Sequence, residues 1–240
     1  MTKATAELKP LPGFASLETW HCVTGSMRHV YVFHGQPCTE DLLLGLGAGV
    51  GFIYWHMKGL PPMIGGRGNV GAPGEEGLEK TAGRRTGVGV EVFRITNTRK
   101  AERTLLELLE AGEPVMVQLD MGFLPYFDLP DDFHFGGHVA VVAGYDPATR
   151  TVLMADRDRD LHPVSLDTLA LARGSTFKPF PPRNQWYTFD FGAASEPQPA
   201  EVHTAIHEVV DRMLRPPISN AGVKGASARP LNESKPGLSR

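Results

Sequence analysis

The run Gly137-His138-Val139-Ala140-Val141-Val142-Ala143-Gly144-Tyr145-Asp146-Pro147-Ala148-Thr149-Arg150-Thr151-Val152-Leu153-Met154-Ala155-Asp156 reads as a β-hairpin. Two apolar, β-branched stretches, Val139 to Tyr145 and Thr151 to Ala155, flank the turn-forming link Asp146 to Arg150. With the turn near the middle, His138 and Asp156 fall close to opposite each other at the open end of the ladder, where side chains of adjacent strands meet. Two further strands are predicted over Pro114 to Leu119 and over Gln185 to Phe191, the latter alternating Trp186, Thr188 and Asp190 against Tyr187, Phe189 and Phe191.

Upstream of this sheet the periodicity is helical. Val23, Met27, Val30 and Tyr31 share one face of a helix that starts at or next to Cys22 and stops at Gly35 and Pro37. A second helix takes Thr39 as cap, with Glu40 and Asp41 in its first turn. It runs into Gly45-Leu46-Gly47-Ala48-Gly49-Val50-Gly51, which fits either a closely packed helix or a turn-rich strand. Phe52 to His56 forms a short aromatic segment, and Gly65 to Gly89 reads as a long exposed loop, able to cover a cleft. Lys100 to Ala111 and Glu201 to Leu214 are amphipathic helices, and nothing after Pro216 shows a period. Helices first and an antiparallel sheet afterwards make an α+β fold.

Glycine and proline, 27 and 20 of 240 residues, argue against a long-helix bundle. A hydrophobic share of 41% with 21% charge is enough for a packed core. The formal charge of −3 and the lack of a basic stripe exclude nucleic acid as the main ligand. No run resembles a secretory signal or a membrane span. Two cysteines, Cys22 and Cys38, make neither a disulfide framework nor a four-cysteine zinc site, so a reducing, cytoplasmic setting is expected.

A thiol at a helix start feels the free amides of the first turn, which favour thiolate, the nucleophile of acyl chemistry. His138 is the best-placed base and Asp156 can orient its imidazole, so Cys22, His138 and Asp156 are the candidate catalytic residues. Other constellations are weaker. His203 and His207 are four apart on a helix but lack a third ligand, and His134 with His138 lies across glycines rather than on a helix. The alternate glycines match neither phosphate-loop pattern, and Cys38 reads as structural. No cofactor and no metal are expected.

His21-Cys22 with Thr24-Gly25-Ser26-Met27-Arg28, the glycine run from Leu44 to Phe52, Gly137 to Asp146, and Leu161 to Phe180 together resemble the N-terminal domain of butirosin biosynthesis protein H and its relatives. The resemblance covers roughly residues 18 to 225. It implies a papain-like fold, close to the bacteriocin-leader peptidases, with Cys22 as nucleophile, His138 as base and Asp156 as orienter. It implies an acyltransferase that takes an acyl group from a donor, an acyl carrier protein in the named member, to an amine; a leader-type peptidase or amidase, or a binding module that keeps the fold, is the alternative. Papain-like peptidases place a glutamine just before the cysteine, but Leu17, Glu18, Thr19 and Trp20 include none. The oxyanion donors then fall to the Cys22 amide and a side chain for which Thr19 and His21 are candidates. The expected organisation is a tail over 1–17, a papain-like domain over 18–192, a helix over 193–215 that begins a truncated second domain, and a disordered tail over 216–240.

Overall fold

The structure is a computed structural model that describes residues 8–55, 62–70 and 76–227. Parts of the expected N-terminal tail, of the Gly65 to Gly89 segment and of the C-terminal tail lie outside these residues.

Helix α1, Cys22–Phe33, begins after His21, whose ring nitrogen faces the Thr24 amide as a cap. Helix α2, Glu40–Leu46, is capped by Thr39, whose hydroxyl accepts from the Leu42 amide. The glycine run then ends the helix and enters strand β1, Val50–Trp55. Its small residues are needed for close approach: a Cβ at Gly47 or Gly49 would come within 2.6 or 2.3 Å of the Leu78 side chain. Strand β2, Met63–Arg67, pairs antiparallel with β1.

The segment from Gly65 to Gly89 is therefore not a loop throughout. It contains the end of β2, helix α3, Leu78–Arg85, with Leu78 and Ala82 fully buried, and the first residue of strand β3, Gly89–Phe93. Its polar residues conceal this in the sequence, because Glu79, Thr81 and Arg85 are buried too. Helix α4, Thr98–Glu110, leads into strand β4, Val115–Leu119. Strands β5, His138–Asp146, and β6, Thr151–Ala155, form the hairpin. Strand β7, Leu161–Ser165, and helix α5, Leu166–Gly174, follow, then strand β8, Trp186–Asp190, and helix α6, Pro199–Leu214.

The main sheet has the order β3-β8-β4-β5-β6-β7, with antiparallel pairing at each step. Its central strand β5 is apolar on both faces because both are covered. Val139, Val141 and Ala143 pack with α1, α2 and α3. Ala140 and Val142 pack with α4 and α5. A one-residue bulge between Val142 and Gly144 shifts the hairpin register, so the ladder pairs Val141 with Ala155. Continued to the open end, this sets Asp156 diagonal to His138 on the same face rather than directly across from it.

The segment from 216 is not a structureless tail over its described part. Helix α7, Gly222–Ser227, follows a turn in which Asn220 accepts the Tyr54 amide at 2.8 Å and returns a hydrogen bond from its side chain to the Tyr54 carbonyl at 2.7 Å. It is held by backbone pairing with β1, which carries no hydrophobic period for a sequence reading to detect.

Candidate active site

The start of α1 crosses the open end of the β5–β6 hairpin, and this crossing brings the three candidate residues together. His138 and Asp156 are both buried, and His138 Nε2 donates to Asp156 Oδ2 at 2.7 Å. The other side of the ring hydrogen-bonds the half-buried Cys22 thiol, which also receives the Val139 amide. One turn along α1, the Ser26 hydroxyl donates to the Val139 carbonyl at 3.2 Å, which fixes the helix on the strand.

The electrostatics follow from these contacts. Burial alone opposes a charge on either group. For Cys22 the His138 hydrogen bond and positive charge, with the Val139 amide, outweigh burial and hold the thiol below its ordinary range. For His138 the hydrogen bonds to Asp156 and Cys22 outweigh burial and push the imidazole up to about 9. Cys38 has no such partners, and burial raises its thiol. The two free cysteines are thus set apart in the direction of their acidity.

Residues that sequence reasoning missed support this arrangement. The Tyr126 hydroxyl donates to Asp156 Oδ2 at 3.0 Å and its ring stacks on His162. Asp156 Oδ1 has no hydrogen-bond partner among the described residues; Arg157 Nε lies 3.7 Å away, and its guanidinium rests over Phe127, whose ring meets His138 edge-on. Glu40 accepts the Trp20 and His21 amides at 2.9 and 2.5 Å and the Thr24 hydroxyl at 3.2 Å, closing the start of α1 from the neighbouring helix. His29 accepts the Leu17 amide at one nitrogen and donates to the Gly25 carbonyl at the other, both at 2.9 Å. A tyrosine on a loop and a glutamate in the next helix carry no spacing signal toward a site.

The two oxyanion candidates part company. Thr19 lies outside the cleft: it is buried, its hydroxyl donates to the Asp156 carbonyl at 3.3 Å, and it fills the space that a Cβ on Gly25 would need. His21 lines the cleft beside Cys22, with Nδ1 held against Thr24 Oγ1 at 2.9 Å and burial lowering its pKa. A glutamine does line the cleft, from another part of the chain: Gln118 on β4 donates to the Gly136 carbonyl at 2.6 Å. His134 faces Asp120 at 3.1 Å, where Ser175 also donates, rather than joining His138 and Asp156. His203 and His207 are exposed on α6.

The cleft holds about 990 Å³, within the range of small-molecule sites. Cys22 lies on its wall with β1 and β2 on one side and the ends of β3, β4 and β8 on the other.

The family described as "Butirosin biosynthesis protein H, N-terminal" matches residues 21–157, more than half of the sequence. The chain belongs to that family. A second match, "Domain of unknown function (DUF4872)", spans residues 167–229 and thus starts well before the boundary expected at 193. No curated protein matches the chain. Among solved structures, a putative C39-like peptidase from Bacillus anthracis is similar at 16% identity, covering 77% of this chain and 98% of that one, with a TM-score of 0.49. The N-terminal peptidase C39-like domain of a toxin secretion ATP-binding protein from Vibrio parahaemolyticus is similar at 13% identity, over 72% and 98%, with a TM-score of 0.39. A double glycine motif protease from an AMS/PCAT transporter, solved with a leader peptide, is similar at 12% identity, over 78% and 94%, with a TM-score of 0.40.

This member of the butirosin biosynthesis protein H N-terminal family has an α+β arrangement, a cysteine-bearing helix packed on an antiparallel sheet that carries the His and the Asp. No described helix is long and apolar enough to cross a membrane.

Proposed function

We propose that this chain is an acyltransferase that works through an acyl-Cys22 thioester, with His138 as acid and base and Asp156 as its orienter. The supporting observation is the chain from the half-buried Cys22 to the buried His138 and Asp156, with the thiol lowered and the imidazole raised to about 9. At neutral pH this favours a thiolate beside an imidazolium.

Cys22 Sγ attacks the acyl carbonyl, and the resulting oxyanion lies at the start of α1, where the Cys22 amide belongs to the open first turn. Collapse breaks the bond to the leaving group, which takes the proton of His138. The acyl-enzyme and a neutral imidazole remain. An acceptor amine then gives its proton to His138 as it attacks the thioester, and collapse restores thiolate and imidazolium. Asp156, held by Tyr126, keeps the ring in one orientation through both halves. The preference for an amine over water rests on the resemblance to the butirosin protein, whose acceptor is an amine; an acyl carrier protein is the corresponding donor.

Alkylation tests the catalytic core. Iodoacetamide at neutral pH, followed by peptide mapping, should label Cys22 much faster than Cys38, and His138→Ala should abolish the difference. Equal, slow labelling of both cysteines in the native chain would leave a binding module instead. An acyl thioester should then add its acyl mass to Cys22 in the intact protein. Discharge by amines faster than by water marks a transferase; discharge by water alone marks a hydrolase of the leader-peptidase kind.

A further inference from the structure

The cleft that holds Cys22 also carries a polar chain that the reaction above does not use. Arg67, on β2, spends Nη2 on Glu79, 3.1 Å from each carboxylate oxygen, and Nε on the Asn69 carbonyl at 3.3 Å. Glu79 Oε1 also accepts the Tyr187 hydroxyl at 3.3 Å. Tyr187 in turn accepts Gln185 Nε2 at 2.5 Å, and Gln185 Oε1 accepts Arg94 Nε at 2.5 Å. The three inner members, Glu79, Tyr187 and Gln185, are buried, while the guanidinium at each end lines the cleft that also holds Cys22.

The direction of every bond is fixed. The carboxylate orients the Tyr187 proton, the phenol oxygen takes the Gln185 amide hydrogen, and the amide oxygen is thereby turned to Arg94. Burying three polar groups is costly unless each is satisfied, and here satisfaction locks two guanidinium groups in place. The charges do not cancel. Glu79 offsets Arg67, Glu91 pairs with Lys80 at 2.9 Å, and Arg84 pairs with Glu76 at 3.2 Å. Arg94, exposed at the cleft, makes no ion pair among the described residues, and its hydrogen bond to Gln185 uses Nε, which leaves the two terminal nitrogens available as a fork.

We infer that Arg94, at its end of this chain, forms an anion subsite of the cleft that takes a carboxylate or phosphate group of the acyl donor. Attribution of the anion to a donor rests on the proposed function; the subsite itself does not. Trp55, Phe135 and Phe180, which line the same cleft, suit the methylene chain that would join the anion to the reacting carbonyl.

Protection of Cys22 from iodoacetamide tests the subsite without turnover. Two matched pairs of ligands are used: glutarate against glutaramide, and S-methyl phosphopantetheine against S-methyl pantetheine. At least one anion should protect at about one tenth of the concentration needed by its neutral partner, the worth of one charge-assisted contact of about 1.4 kcal/mol. Arg94→Gln should reduce that gap to about threefold or less. A gap in the first pair puts the anion on the acyl group, and a gap in the second puts it on the donor's carrier arm. Equal protection within both pairs, or a gap that survives Arg94→Gln, overturns the inference. The labelling rate of Cys22 against Cys38 without ligand judges the proposed function separately, whichever way protection goes.

Discussion

Asp156→Asn keeps the shape of the side chain and removes the charge that faces His138. In the native chain this imidazole titrates at about 9 instead of 6.5, although burial pulls it the other way. At about 1.4 kcal/mol per pH unit, the contacts that overcome burial are worth about 3 kcal/mol net. The hydrogen bond to Asp156 is the larger of these contacts, and the one to Cys22 comes second. Half of the net figure is then a low assignment to Asp156, and its loss lowers the affinity of the ring for its proton by about tenfold or more. The sign is fixed by the pair. A weaker imidazolium stabilises the thiolate less, so the Cys22 pKa rises, while the pH at which His138 loses its proton moves down from about 9. The variant should therefore label Cys22 with iodoacetamide with a midpoint at least about one pH unit higher, and about tenfold more slowly at pH values below the native midpoint. Pseudo-first-order labelling from pH 4 to 10 with mass mapping reads both quantities, and a thermal melt shows that the fold is kept. A variant with a native-like melt, the native rate and the native midpoint would refute the coupling of Asp156 to the thiol through His138.

Tyr126→Phe removes one hydrogen bond to the Asp156 carboxylate, a loss of about 1–2 kcal/mol. Alkylation of Cys22 should slow by about threefold, less than with Asp156→Asn; a lower melting temperature with unchanged alkylation would make Tyr126 a purely structural contact. Glu40→Gln turns an acceptor of the Trp20 and His21 amides and the Thr24 hydroxyl into a partial donor, so chemical denaturation should show a loss of about 2–3 kcal/mol. His29 must stay neutral to accept the Leu17 amide, and burial lowers its pKa from 6.5, so the unfolded chain binds its proton first and stability falls as pH drops below 6.5 through the folded value. His29→Gln should flatten that acid limb in melts between pH 7 and 4; an unchanged limb would place the acid sensitivity elsewhere.

What the sequence disclosed follows from how each element is stabilised. The hairpin was legible because β5 is buried on both faces and so must be apolar throughout, and α1 because its one buried face sets a period. His138 and Asp156 could be brought together from the hairpin alone, whereas the helix start marked Cys22 as a candidate thiolate without placing it beside them. The bulge at Val142 to Gly144 was not legible, because one extra residue leaves the hydrophobic pattern intact while it changes the partner. Helix α3 was hidden by its buried Glu79 and Arg85, whose charges are met by Arg67 on β2 and by Glu201 and Glu208 on α6 respectively rather than by apolar spacing. For Thr19, a candidate oxyanion donor from its place just before Cys22, the sequence did not disclose that its hydroxyl donates to the Asp156 carbonyl.

The two family segments do not divide the molecule into a catalytic part and an appendage. The first, residues 21–157, supplies Cys22, His138 and Asp156, together with β3, β4, β5 and β6. The second, residues 167–229, supplies β8, which lies between β3 and β4. Without β8 the sheet would have a gap beside β4, and β3 would lose its partner over Gly89 to Phe93. Gln185 and Tyr187, which hold Arg94 and meet Glu79, also come from the second segment, as does Phe180 on the cleft wall. Helix α7 reaches back to β1, the strand that lines the cleft on the other side. Cys22 is thus furnished by one segment and the walls of its cleft by both. Substrate choice should follow changes in residues 167–229 as much as changes around Cys22, because those residues orient the groups that a substrate meets after it has entered.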